Sequence, residues 1–407
     1  MAARVSMSAG RALAGVVTPI YLALEGFSAI ELSEYVLVVA LASAVMSALI
    51  GTSADRIGRR PFLVALPLLT AAAGATFAVS SSHLLLFVMG ALGSFGRGAG
   101  AGAGAVGPYQ PAESAFVTDA IEPRFRNDMF GRLTFGSSAG ATVGALLALL
   151  VPAATVHGAA ATSLFRDAFV AIAVVSAAAG LIALGLVEPA RPPRPAGPVV
   201  KRSRFPRRSR WLLYRLWLTN TLNGFAVGMF GPFITYWFYR RYGVGAAEVG
   251  TLFAVINVAT MASSLSAAGL ARRWGLVRTV SLVRIAQAVL IVPMVLSPSF
   301  LLAGAVYLVR MIVQRIGLPL RQSYSLGLAD PDERASVAAL SNLPSQLAMS
   351  GSPLLTGYLF EEVSLSLPFE IAAFFQMLNA VSFWVLFRRH PPEEEQSRPA
   401  TGGRSDR

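Results

Sequence analysis

Runs of apolar and small residues alternate along the chain with short polar breaks, and each run is close to the ~20 residues a helix needs to cross a bilayer. Twelve such runs are read, near 8–28, 33–54, 61–80, 83–110, 130–153, 165–187, 212–238, 247–270, 277–297, 299–320, 336–358 and 367–388. The pattern predicts an all-α integral membrane protein with twelve transmembrane helices. An even number of spans places both termini on one face. The break Gly51-Thr-Ser-Ala-Asp55-Arg56-Ile-Gly58-Arg59-Arg60 gathers four charges and a turn-forming glycine between spans two and three. It predicts a short loop that holds those two helices antiparallel.

Composition agrees with this pattern. Of 407 residues, 55% are hydrophobic and 14% charged, and the mean hydropathy is +0.60. That leaves too little polar surface for a soluble globule of this size. There is no cysteine, so disulfides, thiolate metal sites and cysteine nucleophiles are excluded. The histidines His83, His157 and His390 lie far apart, so no metal cluster and no cofactor is expected.

A net charge of +13 could indicate a nucleic-acid partner, but the basic residues fall in alternate loops. The exceptions are Arg166, Arg240 and Arg241 in the opposite loops, and Arg97, Arg310 and Arg315 inside spans. This is the positive-inside asymmetry of a polytopic protein. It places the arginine-rich loops and both termini in the cytoplasm of a cell (plasma or inner) membrane, and it removes the support for nucleic acid. Arg4 and Arg11 ahead of an apolar run resemble a signal peptide, but Pro19, Glu25 and the immediate second span favour a retained first helix.

The Pro/Arg-rich segment 188–210 reads as a solvated cytoplasmic linker. It separates an N-terminal six-helix bundle (1–187) from a C-terminal six-helix bundle (211–390), and 391–407 reads as a disordered cytoplasmic tail. The halves resemble each other. The stretch from Pro111 to Arg126 aligns without a gap on Pro319 to Arg334, matching proline, aromatic, acid-proline and arginine positions. Pro19 and Pro232 correspond, and Arg56-Ile-Gly58 has a degraded counterpart in Arg273-Trp-Gly275. Two pseudo-symmetric six-helix bundles with a site between them form a transporter architecture.

The motif Gly51-x-x-x-Asp55-Arg56-x-Gly58-Arg59-Arg60 resembles the hallmark loop of the major facilitator superfamily at every defining position, and the likeness covers nearly the whole chain. The resemblance implies a conformational latch. Asp55 would contact the other half, and the arginines would engage Asp119 or Glu122 at the end of helix four. Arg97, followed by Gly98, Gly100, Gly102 and Gly104, is similar to the family's helix-four motif. Gly131-x8-Gly140-x3-Gly144-Ala145 is similar to the helix-five motif of drug/proton antiporters, with alanine in place of its proline.

Ionisable groups inside a bilayer usually face a cavity or a partner. Arg97 and Arg310 lie near mid-membrane in spans four and ten and are candidates to bind an anionic or polar group; Arg315 is expected to be structural or to snorkel. Glu25, with Tyr21 one turn away, is the candidate for proton coupling. Asn220, Asn223 and Gln314 either line the cavity or join helices. Glu113 and Arg321 occupy equivalent repeat positions and could pair as an inner gate. The aromatic run Phe230 to Tyr239 is expected to form mostly an interfacial belt. The glycine-rich stretch 98–107 lacks the Gly-Lys-Ser/Thr of a nucleotide loop, so it reads as close helix packing.

These readings converge on a secondary transporter working by alternating access, driven by an ion gradient or by the substrate's own. The leading expectation is proton-coupled efflux of small amphipathic or drug-like compounds by a monomer. Uptake or exchange of a small organic anion is the alternative, and a non-transporting receptor or scaffold is the alternative of another class. An enzyme is not expected, since no span presents a nucleophile with its base or an acidic metal cluster.

Overall fold

The computed structural model describes residues 1–96, 107–151, 159–188, 208–263, 275–328, 330, 333, 337 and 340–388. Fourteen α-helices and one 3-10 turn (Ala148–Leu150) make up the described chain, with no strand among the described residues. They are α1 Ala2–Leu24, α2 Ala29–Ile57, α3 Arg60–Val79, α4 His83–Gly93, α5 Tyr109–Ala120, α6 Pro123–Leu147 and α7 Ala159–Leu184 in the first half. The second half holds α8 Arg210–Phe230, α9 Ile234–Tyr242, α10 Ala246–Ser263, α11 Leu276–Leu296, α12 Phe300–Gly327, α13 Leu343–Glu362 and α14 Leu367–Phe387. Eight of these helices are long and apolar enough to cross a membrane by length and composition.

Twelve spans become fourteen helices because spans four and seven are each two pieces. Span four was expected to run unbroken over 83–110. It stops at Gly93, because Ser94 takes the left-handed conformation (φ 49°) and Gly96 follows at φ 72°, and no helix continues through two such residues. The buried turn after α4 is held by Tyr35, whose hydroxyl donates to the Phe95 carbonyl at 3.0 Å. Span seven breaks at Gly231 to Phe233, where Pro232 lacks the N–H to continue the ladder. Pro19, its counterpart in α1, is accommodated without a break.

The 51–60 segment is also more helical than a loop. Helix α2 runs on through Ile57, and the reversal is confined to Gly58 (φ 109°) and Arg59 before α3 starts at Arg60. At the opposite end of α2, Ser28 and Glu31 form a reciprocal cap, with Ser28 Oγ accepting from the Glu31 N–H and Glu31 accepting from the Ser28 N–H.

Packing follows the repeat. In the first half α1 packs on α6 and α7, α3 on α7 and α4, and α2 on α4; in the second half α8 packs on α13 and α14, α11 on α14 and α12, and α10 on α12. Counted as spans, each pairing of the first half recurs six spans later. The two main contacts between halves, α2 with α13 and α6 with α10, exchange under the same shift. This is the arrangement of two pseudo-symmetric six-helix bundles.

Glycines seat the central helices. A Cβ on Gly140 or Gly144 of α6 would collide with the carbonyl oxygens of Val5 and Ala9 on α1. In the second half the small residues sit on the other partner: a Cβ on Gly224 of α8 would collide with the Ser345 carbonyl of α13, and one on Gly228 with Ser352 and Met349. Backbones this close gain packing that larger side chains would prevent. Large apolar side chains such as Leu41, Val45, Leu84, Leu181 and Leu301 remain on the outside, as a lipid-facing surface requires.

Candidate functional site

The two halves meet at the arginine-poor face. Gly357 of α13 lies against the Ala29 carbonyl and Ser33 of α2, and Gly250 of α10 lies against Ala145 and Ala148. The Ile30 N–H donates to Glu361 Oε2 at 3.1 Å. Below this seal, one apolar cluster runs across both halves and includes Val17, Tyr21, Phe230, Phe233, Trp237, Phe253, Tyr307 and Met311.

The aromatic run expected as an interfacial belt is instead mostly interior. Phe233, Tyr236, Trp237 and Phe238 are buried, because the break after Phe230 redirects α9 into the bundle. Phe230 stands at the centre of this group, T-shaped to Phe369 at 4.9 Å and stacked with Tyr307 at 5.8 Å. Arg310 of α12 lies over its other neighbourhood, with the guanidinium carbon 4.0 Å from the Phe230 ring centroid.

Of the other cavity candidates, Tyr21 is buried in the first-half aromatic cluster, edge-on to Phe169 at 4.8 Å and near Phe77 and Phe165. Glu25 caps the C-terminus of α1 beside the Tyr21 phenol and is half-buried rather than enclosed. Asn220 and Asn223 act between helices. The Asn220 amide donates to the Ser341 carbonyl at 2.8 Å, and Asn223 accepts from Asn379 at 3.4 Å. Gln314 is half-buried one turn beyond Arg310. Arg315 is half-buried too, and its Nε has no hydrogen-bond partner. Arg97 lies outside the described residues.

Sequence reasoning missed Arg284, which is a further cation inside a span. It is buried in α11, donates to Asn379 Oδ1 at 2.7 Å and stacks on Phe383 at 4.7 Å. Its nearness to Arg278 let it pass for a loop residue. The polar Asn379 inside an otherwise apolar span was the signal that could have found it.

At the arginine-rich face Glu113 is buried, and Arg4 Nη1 of α1 lies 2.7 Å from its Oε2. The side chain expected to meet it across the halves, Arg321, lies outside the described residues. The observed partner of Glu113 therefore belongs to its own bundle.

The 51–60 motif is braced by a residue the motif does not contain. Glu188, just after α7, accepts the Arg59 N–H at 2.9 Å and the Arg60 N–H at 3.5 Å, and its carboxylate sits where a Cβ on Gly58 would be. It thereby caps the N-terminus of α3. The Arg59 guanidinium donates to the Ala115 carbonyl of α5, and that of Arg60 to the Leu184 carbonyl. Gly51 is helical within α2; the side chains of Asp55, Arg56 and Asp119 lie outside the described residues. In the second half Glu333 does the same work for α8, accepting the Arg208 and Ser209 N–H groups at 3.1 and 2.7 Å.

Comparison with known proteins places this geometry. A short stretch of 97 residues is 36% identical to the multidrug resistance protein MdtH of Cronobacter sakazakii (strain ATCC BAA-894), covering 24% of this chain and 22% of that relative. The chain thus matches only about a fifth of that relative's length. Among solved structures, the inward open xylose transporter XylE from E. coli superposes with a TM-score of 0.71 at 13% identity, over 95% of each chain. A bacterial homologue of the human lysosomal transporter Spinster, inward-facing and occupied, gives 0.69 at 17% identity, again over 95% of each. The nucleoside transporter NupG gives 0.71 at 13% identity over 95% of this chain and 98% of its own. The family model of the Major Facilitator Superfamily matches residues 1–313 and, in a second match, 216–406. With twelve spans in two repeated bundles and a family match along its length, the chain belongs to the Major Facilitator Superfamily of membrane transporters.

Proposed function

We propose that this chain exports small amphipathic compounds by alternating access, driven by protons moving inward. The observation that carries the reading is the buried aromatic group around Phe230, Tyr307, Phe253 and Phe369, roofed at the arginine-poor face by the α2/α13 and α6/α10 contacts. Such walls offer apolar and π surface to drug-like bodies without demanding one hydrogen-bonding pattern. The partial helix-five motif and the local likeness to a multidrug resistance protein support the same direction.

In this reading the arginine-rich face is cytoplasmic, so the sealed face is the outer one and the described state awaits cargo from within. Gly51, Asp55, Arg56, Gly58, Arg59, Arg60 and Asp119 form the latch that biases the two arrangements, with Glu188 holding its turn in place. Glu113 and Arg321 meet as an inner gate only in the other arrangement, and Glu113 returns to Arg4 when the gate opens. Glu25 carries the proton, with Tyr21 beside it, and Glu113 is the second carboxylate to test. Boundaries at 187, 210 and 390 separate the bundles, linker and tail, and the working unit is a monomer.

The test is substrate-dependent proton flux in proteoliposomes, comparing wild type with Glu25→Gln and Glu113→Gln. Export requires proton entry coupled to outward movement of a dye or drug. Uptake or exchange of an organic anion would show the opposite direction or no proton flux. Unchanged flux in both variants would remove both carboxylates from the mechanism.

A further inference from the structure

Arg310 is 6% exposed, and its Nε has no hydrogen-bond partner among the described residues. No acidic side chain among the described residues forms a salt bridge with it. Its guanidinium lies over the face of Phe230, 4.0 Å from the ring centroid, with the Tyr307 phenol also nearby. A ring face offsets only part of the cost of burying a cation.

Two other buried arginines among the described residues have an oxygen partner. Arg4 has a Glu113 carboxylate oxygen at 2.7 Å and Arg284 an Asn379 amide oxygen at 2.7 Å. Arg310 departs from that practice inside the aromatic group where a substrate would lie. Stacking uses the flat face of a guanidinium and leaves its N–H edge available for a planar, two-oxygen acceptor. Gln314, one turn along on the same side of α12, adds an amide donor. Phe230, Tyr307 and Phe253 then offer surfaces for an aromatic body, with Tyr307 to Phe253 at 6.0 Å.

We infer that Arg310 and Phe230 form a recognition site for the carboxylate or sulfonate of an aromatic, amphipathic anion. This rests on the export reading and narrows its cargo to anions. The site selects the charge through a buried guanidinium with no acidic partner among the described residues, and it accepts varied bodies through the rings.

The test uses three probes that share one ring system and differ in charge: 1-naphthoate, 1-naphthalenemethanol and 1-naphthylmethylammonium, bound to the full chain in nanodiscs. Wild type is expected to prefer naphthoate over the alcohol by about tenfold to a hundredfold, the worth of a hydrogen bond to a charged group. Arg310→Met should abolish that preference, with naphthoate falling to the affinity of the alcohol, while Arg310→Lys should keep part of it. Equal binding of the three probes by wild type, or preference for the ammonium, overturns the inference whether or not any variant folds. Undiminished preference in Arg310→Met overturns it as well. Energised vesicles separate the two claims. If the ammonium is exported and naphthoate is not bound, export stands and the anion site falls. If naphthoate binds and nothing is exported, the site stands and export falls.

Discussion

Arg4 Nη1 and Glu113 Oε2 lie 2.7 Å apart, with only 8% and 11% of their side chains exposed, and they join the first helix to the second piece of span four. Removing one partner from such a pair strands the other charge, which typically costs ~3–5 kcal/mol. Glu113→Gln and Arg4→Gln should each lower the melting temperature strongly, read by fluorescence-detected size exclusion of heated samples. The double variant should melt above either single one, and the exchanged pair, Arg4→Glu with Glu113→Arg, should recover most of the loss. If the double variant simply adds the two losses, the pair is not coupled.

The same residue tests the gate. Reversal of Glu113 and Arg321 together is expected to restore transport that either single reversal removes, without restoring the melting temperature, because stability in the described state comes from Arg4. Failure of transport to return would leave Glu113 with its intrabundle role alone.

Glycines of α6 give opposite outcomes within one helix. Gly144→Ala should destabilise by ~1–3 kcal/mol, since its methyl would meet the backbone of Ala9, which cannot turn aside. Gly131→Ala meets nothing within 4 Å and should be neutral or stabilising by up to ~1 kcal/mol through helix propensity. Comparable melting shifts for the two would contradict the α1/α6 seam.

Glu188→Ala removes the acceptor from the Arg59 and Arg60 N–H groups. A lost cap costs ~1 kcal/mol, so the protein should stay folded while transport falls. Glu188→Gln keeps an acceptor oxygen and should behave closer to wild type. Rates in vesicles beside melting curves would separate a loosened latch from a misfolded chain.

Asn379→Leu takes away an oxygen that accepts from Arg284 and the donor to Asn223. A loss of ~1.5–3 kcal/mol is expected for a hydrogen bond to a charged group. Asn379→Asp should retain more stability than Leu by keeping an acceptor for the guanidinium.

Much of this architecture is readable from hydropathy, because the length of a span is set by bilayer thickness and leaves a clear trace in the chain. The breaks are not. Residues 94–107 are mostly small, with Arg97 as their one charge, and only the backbone shows that Ser94 and Gly96 turn away from a helix. The latch motif is legible as a string of residues, yet Glu188, which holds its turn, looks like the first residue of a linker. Arg4 and Glu113 are 109 positions apart, so each reads as a lone charge until the helices are packed. Arg310 is visible as a cation in a span, whereas its stacking on Phe230 is a property of its surroundings and cannot be seen in sequence.

The paired contacts α2/α13 and α6/α10 have a kinetic consequence. Because the repeat exchanges one for the other, a rocking of the bundles that keeps this pseudo-symmetry cannot part Gly357 from Ala29 while leaving Gly250 seated on Ala145. Both seams have to separate in the same event, so the barrier to exposing the far side is a sum over two interfaces. A bulky substitution at either glycine should therefore change the dwell time of the sealed state as a whole, rather than produce a half-open intermediate.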